Sequence, residues 1–339
     1  MLPPADSRAD CWIITDGAAG NVRQARALAG AMRVQSIELT LHLRGPWRTF
    51  APRFTKAMRL GVPKNIRWHL APPWPALAIG CGRQAAALTR ALRAMSGAKT
   101  FTVQILDPRV DPTLFDAVVA PRHDGLEGPN VIRTLGALNP VDEAWMAEGL
   151  AAFPLLTQLP TPRTTLLIGG QRRGLELTDA WFDAFLARVA ALVSRSRGSL
   201  LIACSHRTPD AWRTRLRGLV SNGAAHIWTG PADGENPYQG YLGAADRIVV
   251  TPDSVNMISE ACATGKPVFT QLPADVGGRL AAFHSELRDQ GWLHPLDENV
   301  DFSTLKQLPP LREIGVVAGE LWHRIEAKRP DVAVALARD

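Results

Sequence analysis

The stretch TPDSVNMISEACATGKPVF, residues 251–269, predicts one complete strand-to-helix-to-strand step of a parallel α/β sheet. The apolar run at 247–250 predicts the buried strand that leads into it, and either Asp253 or Ser254 suits the N-cap of the helix that follows. Gly265 predicts the helix end, after which the chain enters another apolar strand. Steps of this kind build Rossmann-like domains.

The start of this helix is also a candidate anion site. Backbone N–H groups at a helix N-terminus, with the positive end of the helix dipole, favour a phosphate beside Asp253, Ser254 and Val255. Glu260 lies about two turns into the helix, where its carboxylate can bind a sugar hydroxyl next to that phosphate. The alternative is an ordinary helix between two strands, with Asp253 as its cap and Glu260 in solvent.

Length and composition predict a soluble protein of two domains. A chain of 339 residues is long for one core, and no apolar run approaches the roughly 18 residues of a membrane span. The acidic, proline-containing start does not resemble a secretory signal. Cys11, Cys81, Cys204 and Cys262 are scattered in apolar segments, which predicts buried thiols and no metal site. We therefore expect a protein of the cytoplasm, either free or peripheral at the inner membrane.

The net charge of +6 conceals a long segment without any acidic residue. Between Leu39 and Leu106 the sequence holds eleven Lys or Arg and no Asp or Glu, and its first part alternates bases with large apolar side chains. This composition favours an anionic membrane surface as partner, with Arg48, Arg53 and Lys56 as candidate contacts. No nucleic-acid-binding motif accompanies the segment, so nucleic acid is not an expected partner. A solvated basic face is the remaining alternative.

Strand and helix signals alternate along both halves of the chain, which predicts an α/β protein of two Rossmann-like domains facing across a cleft. The predicted divisions are an N-terminal domain over 1–153, a proline-rich linker over 154–164, a C-terminal domain over 165–310 and terminal helices over 311–339. Ligands of such sheets bind outside the carboxyl ends of the strands. The turns that follow strands are therefore the candidate sites.

Four turns of the second half carry groups suited to a nucleotide sugar. Small residues let the backbone approach phosphates, an arginine offers a fork to phosphate oxygens, and a carboxylate accepts ribose hydroxyls. Each turn alone is more often a structural loop, but their joint position after successive strands favours a binding site. The candidate substrate-binding residues are Gly169, Gly170, Gln171, Arg207, Asn236, Tyr238, Asp253, Ser254, Val255 and Glu260.

The first turn of the N-terminal half is the corresponding place for an acceptor or a catalytic carboxylate. It carries Asp16, Gly17, Gly20, Asn21 and Gln24, and a later turn carries His123 and Asp124. Asp16 could equally form the turn, with Asn21 as an N-cap. A general base could be Asp16, His123 or Asp124, and the sequence does not choose among them.

A third turn offers a minor alternative, an NAD-binding site. The run Gly80-Cys81-Gly82-Arg83-Gln84-Ala85 stands between a predicted strand and a predicted helix, and Asp107 ends the next strand. This arrangement fits the glycine fingerprint of a dinucleotide fold. Arg83 and the proline after Asp107 are unusual there, and a lone fingerprint is a weak signal.

The motifs in their order resemble the bacterial relatives of a plant mitochondrial fission factor named for elongated mitochondria. The resemblance extends over residues 11–300. The runs that carry it are Asp16-Gly17 with Gly20-Asn21, QILDP at 104–108, HDG at 123–125, IGG at 168–170, SHRTP at 205–209, ENPY at 235–238 and TPDSVNM at 251–257.

The resemblance implies a GT-B glycosyltransferase fold whose C-terminal domain binds the nucleotide sugar. The helix with Glu260 is similar to the ribose-binding helix of lipid-linked N-acetylglucosaminyltransferases. One hypothesis is an inverting, metal-independent transferase that needs no cofactor beyond its nucleotide-sugar donor and acts on a lipid-linked or lipopolysaccharide acceptor at the cytoplasmic membrane face. The plant member is associated with fission machinery at the mitochondrial surface, so the second hypothesis is a non-catalytic membrane adaptor.

Overall fold

The computed structural model describes residues 10–172, 174–220, 225–297, 305 and 308–337. The chain forms two compact units. The N-terminal unit contains the chain up to Pro140 and returns from Glu313 onward, and the C-terminal unit is Val141–Arg312. Each unit is built around one parallel sheet, which confirms the predicted α/β class.

The sheet of the N-terminal unit has six parallel strands. They are β1 (Cys11–Thr15), β2 (Ser36–Thr40), β3 (Leu77–Cys81), β4 (Phe101–Ile105), β5 (Ala117–Pro121) and β6 (Val131–Thr134). Their order is β2-β1-β3-β4-β5-β6, so the direction in which strands are added reverses between β1 and β3. Ligands of open α/β sheets bind in the crevice outside the carboxyl ends of two such strands.

Helices cover both faces of this sheet. They are α1 (Ala19–Ala31), α2 (Gly45–Phe50), α3 (Met58–Gly61), α4 (Lys64–Arg67), α5 (Arg83–Met95), α12 (Ile314–Lys328) and α13 (Pro330–Leu336). Successive residues of a strand point to opposite faces. Ile13 accordingly packs with α1, α12 and α13, whereas Trp12 and Ile14 pack with α5 and the buried side of α2–α4.

The sheet of the C-terminal unit also has six parallel strands. They are β7 (Arg163–Ile168), β8 (Ser199–Cys204), β9 (Ala225–Trp228), β10 (Arg247–Val250), β11 (Val268–Thr270) and β12 (Leu293–Pro295). Their order is β12-β11-β10-β7-β8-β9, with the reversal between β7 and β10. This is the strand order of dinucleotide-binding Rossmann domains.

The helices of this unit are α6 (Glu143–Ala152), α7 (Asp179–Ser196), α8 (Asp210–Val220), α9 (Tyr238–Ala244), α10 (Val255–Ala263) and α11 (Gly278–Asp289). Aromatic stacking joins α7 to α8, since the Phe182 and Trp212 rings lie 3.9 Å apart and nearly parallel. The four cysteines of the chain are buried free thiols, as predicted.

The division between the units differs from the predicted one. The prediction assigns 141–153 to the N-terminal domain, but α6 lies in the C-terminal unit because its backbone approaches α9 closely at Gly149 and Gly243. The predicted linker 154–164 holds a 3₁₀ helix at Pro154–Gln158 and the start of β7. The predicted terminal helices belong to the N-terminal core, where Leu321 and Ile325 are fully buried.

Within the described part of the chain, no helix is both long enough and apolar enough to span a bilayer.

Candidate functional site

Three loops meet at the strand-order reversal of the C-terminal sheet and form what we call the polar loop cluster: residues 168–171 after β7, 205–208 after β8 and 251–254 after β10. Its centre is Asp253, which is 1% exposed. The Asp253 carboxylate accepts hydrogen bonds from the Gly170 N–H at 3.0 Å, the Thr251 hydroxyl at 2.7 Å and the Arg207 guanidinium at 2.8 Å. One buried side chain thus joins three strand ends.

Gly169 allows the carboxylate to come this close. A Cβ atom at Gly169 would lie 2.2 Å from Asp253 Oδ1, which no side chain can tolerate. The Gly169 N–H instead donates to the Thr251 hydroxyl at 2.7 Å. The sequence predicts that small residues here admit a phosphate, whereas in the structure the glycine backbone accommodates the protein's own carboxylate.

The electrostatics of the cluster depend on how deeply Asp253 is buried. Burial raises the pKa of Asp253, while the hydrogen bonds from Thr251 and Gly170 and the charge of Arg207 act in the opposite direction. The Arg207 side chain is 35% exposed, so its guanidinium stands between the buried carboxylate and solvent. The outer side of this guanidinium is the part of the cluster that can meet an anion.

Helix α10 begins directly after the cluster. Ser254 is its N-cap, since the Ser254 hydroxyl accepts a hydrogen bond from the Met257 N–H at 3.3 Å. Of the two predicted caps, the structure therefore selects Ser254, and Asp253 belongs to the cluster. The first turn, which starts at Val255, contains no acidic residue. An anion at this helix start would meet N–H groups and the positive end of the dipole.

Glu260 is buried in α10, with 2% of its surface exposed. The alternative of a solvated Glu260 is therefore wrong. The Tyr238 hydroxyl donates a hydrogen bond to the Glu260 carboxylate, and Asn236 Oδ1 accepts from the Tyr238 N–H at 3.0 Å. The start of α9 and the middle of α10, predicted as separate parts of one site, are thus in direct contact.

The remaining predicted residues of this unit lie at the surface. Gln171 and Asn236 are exposed. The Gln171 side-chain amide donates to the Leu177 carbonyl at 2.7 Å and so stabilises its own loop. The structure therefore places Gln171 at the edge of the polar loop cluster.

In the N-terminal unit, Asp16 stands at the strand-order reversal, directly after β1. Its carboxylate accepts from the Asn21 side-chain amide at 2.9 Å and from the Ala18 N–H at 3.2 Å. Asn21 is not an N-cap, because α1 begins earlier and Ala18 occupies that position. Gly82, after β3, has a φ of +94°, and a Cβ there would lie 2.7 Å from Asn21 Nδ2. The turns after β1 and β3 therefore touch each other.

The other candidates of this unit are arranged around that turn. Gly17 is exposed, Gly20 is half-buried in the first turn of α1, and Gln24 is buried one turn further on. His123 and Asp124 lie in a 3₁₀ helix after β5. Because β3 and β4 separate β5 from β1, the strand that leads to Asp16 and the strand that leads to His123 and Asp124 are about 14 Å apart in the sheet. The structure does not bring them together.

In the turn predicted as an alternative NAD site, the side chains of Arg83 and Gln84 contact other parts of the same chain. The Arg83 guanidinium donates to the carbonyl oxygens of Arg48, Thr49 and Ala51. The side-chain amide oxygen of Gln84, Oε1, accepts a hydrogen bond from the Leu43 N–H at 2.9 Å. These two side chains hold residues 43–51 against the start of α5.

Comparison with known proteins identifies the family. The profile of the family described as mitochondrial fission ELM1 matches residues 19–325. The chain belongs to this family. It is 30% identical to the mitochondrial fission protein ELM1 of Arabidopsis thaliana over 75% of this chain, and the match covers 65% of the plant protein, less than two thirds of its length. It is 25% identical to an uncharacterised protein of Rickettsia prowazekii over 91% of this chain and 96% of that protein.

The fold of this ELM1-family chain is also that of solved GT-B structures. The UDP-GlcNAc 2-epimerase of Methanocaldococcus jannaschii superposes with a TM-score of 0.60 at 12% identity, over 94% of this chain and 99% of that one. At this identity the likeness establishes the fold alone. The predicted GT-B-like architecture is confirmed.

Several residues of the polar loop cluster in this ELM1-family chain were not among the candidates predicted from the sequence. Thr251, Ser205 and Thr208 hold the polar loop cluster together, and the Thr208 hydroxyl bonds the carbonyl oxygens of Ile168 and Gly169. A signal was available, because each of these hydroxyl residues stands within four positions of a strand end. Among the described residues no group of three or more His, Cys, Asp or Glu is placed to hold a metal ion.

Proposed function

We propose that this protein is a GT-B-like glycosyltransferase that uses a nucleotide sugar as donor. The observation that carries the proposal is the position of α10, which starts at the strand-order reversal of the second sheet and holds Glu260 buried in its interior turn. The name of the M. jannaschii neighbour, a UDP-GlcNAc 2-epimerase, supports a nucleotide sugar as the ligand class. The sequence contains no Asp-X-Asp motif, which favours a metal-independent reaction.

The donor would bind along α10. Its diphosphate would meet the helix start at Ser254 and Val255, with the exposed side of the Arg207 guanidinium nearby. Its ribose would reach the Glu260 carboxylate, whose oxygens together offer about four acceptor positions. Because Tyr238 covers this carboxylate, ribose binding would require the Tyr238 ring to move aside.

The transfer itself would be a single inverting displacement. An acceptor hydroxyl attacks the anomeric carbon, the bond from that carbon to the phosphate oxygen breaks, and the nucleoside diphosphate leaves with its negative charge facing the helix start. The hydroxyl proton passes to a carboxylate. We favour Asp16 over His123 and Asp124, since Asp16 stands at the reversal of the first sheet and the other two follow β5. The acceptor class is a lipid-linked or lipopolysaccharide sugar at the cytoplasmic membrane face.

A second function, a non-catalytic adaptor at membranes, is favoured by membership of the ELM1 family. Such a protein would keep the fold and use its surface to recruit partners. Donor binding separates the two functions, because the adaptor has no need of a nucleotide.

Calorimetry with UDP tests the proposal. We expect wild type to bind, and Glu260→Ala to weaken binding about 10- to 100-fold, as for a lost hydrogen bond to a charged group. Glu326→Ala, an exposed glutamate on α12 in the other unit, is the matched control and should bind like wild type. Equal affinity of wild type and Glu260→Ala removes Glu260 from the site. Failure of wild type to bind UDP or any other nucleoside diphosphate supports the adaptor.

A further inference from the structure

The segment from α2 to Trp68, the residue after α4, leaves an unusual number of apolar side chains in solvent. Among the described residues of the whole chain, seven large hydrophobic side chains are exposed, and four of them fall in this segment: Phe50 at 60%, Phe54 at 37%, Leu60 at 60% and Trp68 at 44%. Single exposed hydrophobic residues are common, but such a concentration is typical of a binding surface.

Two aromatic side chains of the segment pack together at the Trp47 indole. The Trp47 ring lies 5.9 Å from the Phe54 ring, its Nε1–H donates to the Lys56 carbonyl at 2.8 Å, and Gly61 packs against it. Leu60 directly precedes Gly61 in α3, and its side chain is exposed. Residues 47, 54, 56 and 61 of this irregular segment thus lie together.

The charged residues of this segment are all basic. Its exposed bases are Arg44, Arg48, Arg53, Lys56, Arg59 and Lys64. No acidic residue occurs in the sequence between Leu39 and Leu106 to neutralise them. Bases that surround exposed aromatic and aliphatic side chains complement a bilayer, with the rings in the acyl boundary and the ammonium and guanidinium groups at lipid phosphates.

The surface is rigid because its other side is part of the core. Ala51, Met58, Val62, Ile66 and Leu70 are buried in one cluster with α5 and the sheet. Arg83 of α5 binds three carbonyl oxygens of the segment, and Arg90 binds those of Pro52 and Arg53. The exposed apolar residues are therefore not needed to hold the segment in place.

We propose that this docking surface, formed by Phe50, Phe54, Leu60 and Trp68 with the surrounding bases, attaches the protein to an anionic lipid bilayer. The segment leaves the sheet after β2, at the same edge as the Asp16 turn, and Gly17 faces the Thr40 side chain. Docking would therefore bring Asp16 close to the membrane surface. Delivery of a lipid-linked acceptor to Asp16 rests on the proposed function, whereas docking itself does not.

Vesicle flotation tests the docking surface. Full-length protein is mixed with vesicles of phosphatidylglycerol and phosphatidylcholine, or of phosphatidylcholine alone. We expect binding to the anionic vesicles only, and a decrease as salt rises from about 0.05 M to about 0.5 M. The triple change Arg48→Glu, Arg53→Glu and Lys56→Glu should lower the partition coefficient at least about 100-fold, and Phe50→Ser with Leu60→Ser about 10-fold.

Matched controls carry the same chemical changes outside the surface. Two control variants alter exposed residues elsewhere and should float like wild type. The charge control combines Lys99→Glu, Arg109→Glu and Lys328→Glu, and the apolar control combines Leu155→Ser and Val316→Ser. Equal flotation of wild type and both surface variants overturns the proposal, as does equal binding to neutral vesicles. UDP affinity, measured on the same variants, should not change. Lost vesicle binding with retained UDP binding therefore bears on docking alone.

Discussion

Asp16 and Asp253 both stand at the strand-order reversal of their sheets but have different surroundings. Each follows a strand at the point where its sheet reverses strand order. Asp253 is 1% exposed and bonded to two other loops, whereas Asp16 is half-buried and bonded within its own turn, to Ala18 and Asn21. The comparison teaches that position in the fold does not define the role of a carboxylate. Asp253 is more deeply buried than Asp16 and joins more parts of the chain, so its structural role is the larger one.

The largest expected effect is on catalysis at Asp16. If Asp16 is the base, Asp16→Asn should lower turnover about 10²- to 10⁴-fold, because the amide cannot accept the acceptor proton. Nucleotide affinity should stay constant, since the residues proposed to bind the donor lie in the other unit. The assay is sugar-nucleotide consumption with membrane extract as acceptor. His123→Ala and Asp124→Asn are run in parallel, and loss of turnover in one of these with normal Asp16→Asn would transfer the role to that residue.

The next effect is on stability, where the change at Asp253 should have a larger effect than the change at Asp16. Asp253→Ala should lower the free energy of unfolding by about 3 kcal/mol, because it leaves Arg207, Thr251 and the Gly170 N–H without their shared acceptor. Asp16→Ala removes only local bonds and should cost about 1 kcal/mol. Urea unfolding followed by circular dichroism measures both. Equal losses would contradict the distinction between a structural and a chemical carboxylate.

The smallest effect is the pH dependence of stability. It tests whether the C-terminal unit buries the Lys266 amine with hydrogen bonds to its own chain, as it does the Asp253 carboxylate. Burial lowers the pKa of Lys266 to about 8, and its amine donates to the Leu242 and Gly243 carbonyls at 2.8 and 2.7 Å. Between that value and the ordinary lysine pKa of about 10.4, the unfolded chain binds a proton that the folded chain does not. The free energy of unfolding should therefore rise with pH in this window.

Lys266→Met isolates this contribution. The difference in unfolding free energy between wild type and Lys266→Met should shift in favour of wild type by about 1 kcal/mol per pH unit from pH 8 to 10. Lys328→Met, an exposed lysine of the other unit, should give no such slope. A pH-independent difference for Lys266→Met would mean that the buried amine is charged throughout.

Local sequence patterns were sufficient to predict the two sheets and the start of α10. Strand-turn-helix steps repeat along the chain, the predicted strand 247–250 agrees with the structure, and the N-cap is Ser254, one of the two predicted caps. These features depend on residues close together in sequence. The order of motifs also identified the family, which the profile match confirms.

Features that depend on distant residues could not be predicted. Whether Asp253 faces a ligand or the Gly170 backbone depends on how β7 and β10 pair, and the hydrogen bond joins residues 83 positions apart. The covering of Glu260 by Tyr238 likewise depends on the docking of α9 onto α10. The boundary at Val141 could not be predicted, because the composition of α6 does not distinguish it from the domain before it. The roles of the predicted site residues stay predictions.

The packing of α12 and α13 into the N-terminal core has a consequence for biosynthesis. A ribosome delivers β1 and α1 first, but the face of the sheet that carries Ile13 is completely covered only when residues around Leu321 and Ile325 emerge. The C-terminal unit is one continuous segment and can fold during that interval. The first-made unit is therefore the last to be completed, and part of its apolar face stays exposed until then.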